Sequence, residues 1–298
     1  MNKRLTKCPL CKSGLFLNHF DAKDHSVSKE TFRLCKCSQC NLIFTNPRPS
    51  KESIGKYYEF EDYISHQDKS TNITNTLYKQ VRKITLKSKI NLLKQYSPKE
   101  SQVLDYGCGT GYFLREAKNN GFSTSGIEPN DQARKIGQSF GLDISTNLDE
   151  LAPSKKYNTI TLFHVLEHVH GLRRTIKRLS KHLTKDGTFI IALPNIDSWD
   201  SQHYRNHWAA LDVPRHLYHF NQKSMSYLAK EMNLLIIDKK PMPFDSYYVS
   251  ILSEKHIYPQ QNIIKTYLKA MKNGIISNNW AKSNENNYSS ILYILKKK

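Results

Sequence analysis

Residues 101–122, SQVLDYGCGTGYFLREAKNNGF, constrain the fold of this chain more than any other stretch. Val103 and Leu104 end a strand. Asp105, Gly107, Gly109 and Gly111 then lead straight into a helix. Glycines at such a bend let a ligand touch backbone that a Cβ would block. The helix N-terminus adds oriented N–H groups. A dinucleotide fingerprint, G-x-G-x-x-G, would place its third glycine at position 112, which is Tyr112; the pattern here is D-x-G-x-G-x-G. The next strand, STSGIEP, ends at Glu128, where a carboxylate can accept hydrogen bonds from both hydroxyls of a ribose.

Strand and helix patterns alternate beyond this point. YNTITLFHVL and TFIIALP are continuous apolar and β-branched runs suited to a buried parallel sheet. Leu172, Ile176, Leu179 and Leu183 mark one helix face, and Asn221 caps a helix with Met225, Leu228 and Met232 inward. LLIIDKK and SSILYILKKK supply two last strands. The predicted fold class is α/β, a Rossmann-like seven-stranded, mostly parallel sheet preceded by an N-terminal ribbon that carries five of the six cysteines. The predicted division is a ribbon over 1–46, a helical linker or lid over 47–98 and a main domain over 99–298. Ser50 is placed to cap a short helix through KESIGKYYEF, and Leu77, Val81 and Ile84 share a face in the next helix. Two insertions interrupt the main domain. One is a polar loop at 195–220, rich in Trp, His and Arg; the other, at about 242–285, is mostly helical.

Cys8, Cys11, Cys37 and Cys40 form two C-x-x-C knuckles, CPLC and CSQC. Two thiolates three residues apart chelate one ion across a tight turn, and two such turns complete a tetrahedral Zn2+ site. With all four positions filled the zinc is structural. Cys35 has no C-x-x-C partner and is a spare.

VLDYGCGTGYFL, GIEPN and YNTITLFHVLEHV together resemble motifs of class I S-adenosylmethionine (SAM)-dependent methyltransferases, in the group acting on small molecules and sugars. The cysteine knuckles resemble a zinc module that precedes some of these enzymes. The resemblance implies SAM as cofactor. Asp105 and the loop Gly107, Cys108, Gly109 and Gly111 would hold its methionine part. Glu128 would hold the ribose, Pro129 and Asn130 would flank the adenine, and His164 would pack over the cofactor. No acidic residue after the third strand is evident in GLDISTNLDEL, so the adenine contact there is unassigned. DVPRHLYHF also resembles a stretch of the zinc-ribbon group, and Arg215 and His216 are candidates to bind an anionic group of the acceptor. The alternative for Arg215 is an ion pair with Asp212 or Glu167.

FHVLEHVHGL contains His164, Glu167 and His168 in the order H-x-x-E-H, an inverted zincin pattern. A peptidase would need a long metal helix here, and Gly171 leaves room only for a short turn. His164 instead sits where a parallel strand ends, at the edge where α/β folds bind ligands. Methyl transfer to a hydroxyl requires removal of a proton, and His164 or His168 is a candidate base. Packing over the cofactor and pinning of a loop are the structural alternatives.

Formal net charge is +19. Lysines outnumber arginines 34 to 11, so arginine, the better reader of phosphate and bases, is not enriched. The expected acceptor is therefore a small molecule or a saccharide. The rivals are an RNA methyltransferase, which would use the basic surface and the ribbon, and a non-catalytic SAM-binding protein. No run reaches the ~20 apolar residues of a membrane span, and the N-terminus lacks the apolar stretch of a secretory signal. A cytoplasmic location is expected.

Overall fold

A computed structural model describes residues 2–58 and 73–298, with side chains from Arg82 onward in the helix Ile73–Tyr96. The expected roles of Leu77 and Val81 lie outside the described side chains, and Ile84 is half exposed. No extended helix capped by Ser50 forms in the described part of its stretch. The described part of that stretch makes a 3-10 turn, Ile54–Tyr57, preceded by Ser53.

Seven strands form one sheet in the order Leu234–Pro241, Ser290–Lys297, Leu183–Pro194, Tyr157–Phe163, Gln102–Tyr106, Ser123–Ile127 and Asp143–Ser145. Gln102–Tyr106 pairs in parallel with both of its neighbours, and Ser123–Ile127 pairs in parallel with Asp143–Ser145. Parallel partners need crossovers, which the helices Tyr112–Asn119 and Asp131–Ser139 supply. The expected α/β fold is the observed one. Among the described residues no helix is long and apolar enough to cross a membrane.

The chain divides into two compact units that cut across the linear division at residues 46 and 98. One contains Phe60–Phe163, Ile176–Ile191 and Ile294–Lys298. Its strands bury Val103, Leu104, Ile160 and Leu162 on both faces, as parallel strands covered by helices do. Helix Tyr112–Asn119 comes close to its sheet at Gly126, where a Cβ would lie 2.7 Å from both Cys108 Sγ and Leu114 Cδ1.

The other unit contains Met1–Glu59, His164–Thr175 and Ala192–Tyr293. Its four-stranded sheet runs Tyr218–His219, Ile43–Thr45, Thr31–Cys37 and Phe16–Lys23. Phe32, Leu34 and Ile43 from this sheet share one core with Tyr204, Trp208, Leu211, Val213 and Val249. The 195–220 segment is thus not a polar loop. It folds into short helical turns that bury Trp208 and Tyr204. The 242–285 segment is helical as expected, forming Pro243–Ile257 and Ile263–Ser283.

Asp200 ties this unit together. Its carboxylate is fully buried and accepts hydrogen bonds from Trp208 Nε1 (2.7 Å), Ser277 Oγ (2.8 Å) and Ser289 Oγ (2.7 Å). Asp200→Ala leaves three buried donors without an acceptor. It is expected to lower stability by roughly 3 kcal/mol in chemical denaturation. A loss below about 1 kcal/mol would show that water replaces the carboxylate at little cost.

Candidate functional site

The glycine turn grows out of the middle of the parallel sheet. Asp105 pairs with Gly126 on one side and Thr161 on the other. Its carboxylate is buried and accepts a 2.6 Å hydrogen bond from Thr161 Oγ1. Burial raises its pKa from 3.8 to about 6, against the opposing pull of Thr161 and the positive charge of Lys89. Gly107, Gly109 and Gly111 all adopt positive φ, at 77°, 53° and 77°. At Gly111 a Cβ would also strike Leu142 Cδ1 at 2.6 Å, so that glycine serves helix packing. At Gly109 a Cβ would meet nothing within 4 Å, so the backbone there faces open space.

Glu128 faces the same turn. Its Oε2 accepts from Gly109 N and its Oε1 from Asn130 N, each at 2.8 Å. These two N–H groups fix the carboxylate plane and leave each oxygen a further lone pair, which suits a vicinal diol. Burial raises the Glu128 pKa, and the two backbone donors oppose the rise. Asn130 turns its side chain to cap the next helix through Ala133 N, at 2.9 Å. The partly buried Cys108 side chain packs with Leu114, Leu142 and Ile144.

The H-x-x-E-H stretch is a turn between Phe163 and the helix Leu172–His182, without the long helix a peptidase needs. His164 has φ 56°, a strained backbone for a side chain of its size, and its N–H donates to Ala192 O at 3.1 Å. Its Nε2 lies 3.2 Å from Asp245 Oδ2 and its Nδ1 lies 3.5 Å from Glu167 Oε1. Burial alone would depress its pKa, but the two carboxylates outweigh this and raise it to about 10. The two carboxylates thus favour the protonated imidazole. Asp245 escaped the sequence reading. Its only signal is the helix start at PFDSYY, with Pro243 in the first turn and an acid beside it. His168 is enclosed. Its Nδ1 contacts Tyr58 Oη (3.0 Å) and Arg215 O (3.1 Å), and burial with the charge of His216 lowers its pKa to about 4.

All three nitrogens of the Arg215 guanidinium are engaged within the protein. Nε bonds both Asp212 oxygens at 3.2 and 3.0 Å, Nη1 donates to Tyr57 O at 2.9 Å, and Nη2 adds Asp212 and, at 3.5 Å, Asp24. Burial would raise the Asp212 pKa, but Arg215 overrides it and holds the value at about 2. The structure thus places Arg215 in the ion pair with Asp212. His216 is buried, with Nδ1 2.9 Å from Ala210 O.

The four knuckle cysteines converge. Cys8 and Cys40 Sγ are 3.6 Å apart, Cys11 and Cys37 Sγ 3.4 Å, and all four sulfurs lie within 4.8 Å of one another. Thiolates about 2.3 Å from a common zinc would sit roughly 3.8 Å apart, so the cluster is compatible with zinc. Cys35 points elsewhere, toward Asn18 Oδ1 at 3.6 Å.

An open glycine turn facing a fixed carboxylate suits a nucleoside with free ribose hydroxyls rather than a pyrophosphate. On a sheet of this order, that combination defines the class I SAM-dependent methyltransferases. The chain belongs to the methyltransferase family: the model of its methyltransferase domain matches residues 78–239, more than half of the chain. It is similar to the ubiquinone biosynthesis O-methyltransferase of Rickettsia typhi, 30% identical over 101 residues that cover 32% of this chain and 41% of that protein. The Rickettsia prowazekii protein of the same name is also 30% identical over 101 residues, covering 32% of this chain and 40% of its own length. The chain thus spans about two fifths of the length of the curated relatives it matches. In fold it is similar to magnesium protoporphyrin IX methyltransferase from Synechocystis PCC 6803 with bound S-adenosylhomocysteine. That likeness has a TM-score of 0.52 at 12% identity and covers 80% of this chain and 95% of that one. The cyclopropane synthase MmaA2 from Mycobacterium tuberculosis gives 0.50 at 14% identity, covering 81% and 95%.

Asp105 has a raised pKa, so its carboxylate costs the fold stability as pH rises from about 4 through about 6. Asp105→Asn keeps the hydrogen bond from Thr161 and never ionises. Above pH 6 the ligand-free variant is expected to be more stable than the parent by on the order of 2 kcal/mol, with the difference vanishing near pH 4. Its SAM affinity should fall at least tenfold by calorimetry. Gly109→Val, which fills the open face of the turn, should abolish SAM binding. Undiminished affinity in both variants would remove these residues from the cofactor site.

Proposed function

We propose that the protein transfers the methyl group of SAM to an oxygen of a small-molecule or saccharide acceptor. The names of the Rickettsia relatives support oxygen as the atom methylated. Asp105, the Gly107–Gly111 turn and Glu128 hold the cofactor in this reading. In the reaction, the acceptor oxygen attacks the methyl carbon and the C–S bond breaks in line. S-adenosylhomocysteine leaves with the electron pair, and the hydroxyl proton passes to a base.

The single observation that carries the acceptor side is the His164–Asp245 pair. His164 directly follows the strand whose Thr161 holds Asp105, and its strained backbone aims the ring at Asp245. An acceptor hydroxyl entering this pair accepts from the His164 imidazolium and donates to Asp245, whose side chain is about a quarter exposed, at 23%. Asp245 is then the base and His164 the group that orients the oxygen. His168 instead commits its Nδ1 to Arg215 O. Asp245→Asn is expected to lower kcat about 100-fold while leaving SAM affinity within twofold of the parent. An unchanged kcat would remove the pair from the reaction.

The four-cysteine cluster is assigned a structural Zn2+ ion, because all four positions of a tetrahedral site are filled by protein. Metal analysis of Cys37→Ser should show this zinc lost and thermal stability reduced, whereas Cys35→Ser should retain it. Zinc loss in the Cys35 variant would reverse the ligand assignment.

A further inference from the structure

The H-x-x-E-H stretch leaves one group unaccounted for. Glu167 is 1% exposed, and among the described residues neither oxygen of its carboxylate has a hydrogen-bond partner. An ionised carboxylate so placed costs several kcal/mol unless a cation meets it. His164 approaches one oxygen at 3.5 Å, which is long for a hydrogen bond, and leaves the other unmatched.

Two imidazoles converge on that carboxylate. His168 and His216 each commit Nδ1 to a backbone carbonyl, Arg215 O at 3.1 Å and Ala210 O at 2.9 Å. A ring that donates from Nδ1 carries its lone pair on Nε2, the arrangement that prepares histidine as a metal ligand. The two rings meet edge to face with centroids 4.5 Å apart. One donor atom from each of Glu167, His168 and His216 lies within 4.8 Å of the others. Backbone bonds hold them in place. Glu167 O accepts from Leu217 N at 2.8 Å, and Thr45 Oγ1 donates to His216 O at 2.9 Å. Asp212 Oδ2, 3.9 Å from His216 Nε2, adds negative charge beside the cluster.

We propose that Glu167, His168 and His216 form a second metal site, which takes a divalent first-row transition ion such as Zn2+ through one carboxylate oxygen and two imidazole nitrogens. Donors about 2.1 Å from one ion stand roughly 3.4 Å apart in a tetrahedron, so from separations of at most 4.8 Å side-chain torsions need draw these three in by no more than about 1.4 Å. With three protein ligands, the fourth position stays open to water or another oxygen. Unlike the four-cysteine cluster, the site has the His2Glu chemistry of reactive zinc and the softness that excludes Ca2+ and Mg2+. The zincin-like spacing is in this sense half meaningful. Glu167 and His168 are ligands, while the partner of His168 is His216 rather than His164.

Cobalt separates the two sites. Purified full-length protein is loaded with Co2+, desalted and analysed for metal per chain and for visible absorption. Thiolate-to-cobalt charge transfer marks the four-cysteine site; a nitrogen and oxygen site adds only d–d bands. Two equivalents are expected, the second without charge transfer. His216→Gln and Glu167→Gln should each lose that second equivalent and keep the charge-transfer bands, which report an intact ribbon in the same folded unit. The proposal is overturned if the parent protein saturates at one thiolate-bound equivalent. It is equally overturned if the second equivalent survives both substitutions.

Discussion

The hydrogen bond from Thr161 to Asp105 is the contact on which the cofactor side of the molecule depends. It crosses the two central strands of the sheet and supplies the buried carboxylate with its closest donor. Burial raises the Asp105 pKa to about 6, so the fold carries the charge against its own stability. Such a cost is characteristic of residues kept for binding rather than for packing. From this anchor the chain runs through three positive-φ glycines into a helix, and the backbone N–H of Gly109 reaches Glu128 at the end of the next strand. Each element is positioned by the one before it.

The other unit is organised around buried polar groups. Asp200 gathers Trp208, Ser277 and Ser289, and Asp212 holds Arg215, which also reaches Asp24 and Tyr57 O. Residues from the N-terminal hairpin and from Ile196 to Val249 share one core, and the turn after Phe163 belongs to the same compact unit. The cysteine module is therefore not an appendage with its own interior; its strands contribute Phe32, Leu34 and Ile43 to the common core. The same network fixes the surroundings of His164, Glu167 and His168.

Local pattern made much of this legible in advance. The glycine turn, the acid ending the second strand and the paired cysteines are all short-range signals, because each chemistry demands fixed residue types at fixed spacing. Strands such as YNTITLF could be read from their continuous apolar run, and helices from their caps, as at Asn221. Contacts distant in sequence could not be read this way. Nothing in DVPRHLYHF says that Arg215 will find Tyr57 O and Asp24 across the fold, or that PFDSYY will bring Asp245 to His164. The polar composition of 195–220 also misled, because Asp212 and Arg215 pair with each other while Trp208, Leu211 and Val213 turn inward. The Lys-rich surface carried little information about the acceptor, since exposed charge is weakly tied to fold or site.

The most direct measurement of the central account is transfer of label from methyl-labelled SAM into an extract of cells lacking this protein, with products separated by size. The account expects label to appear in a low-mass, soluble product, to require the intact glycine turn, and to resist ribonuclease and protease. Label confined to RNA or protein, or no transfer despite tight SAM binding, would contradict it.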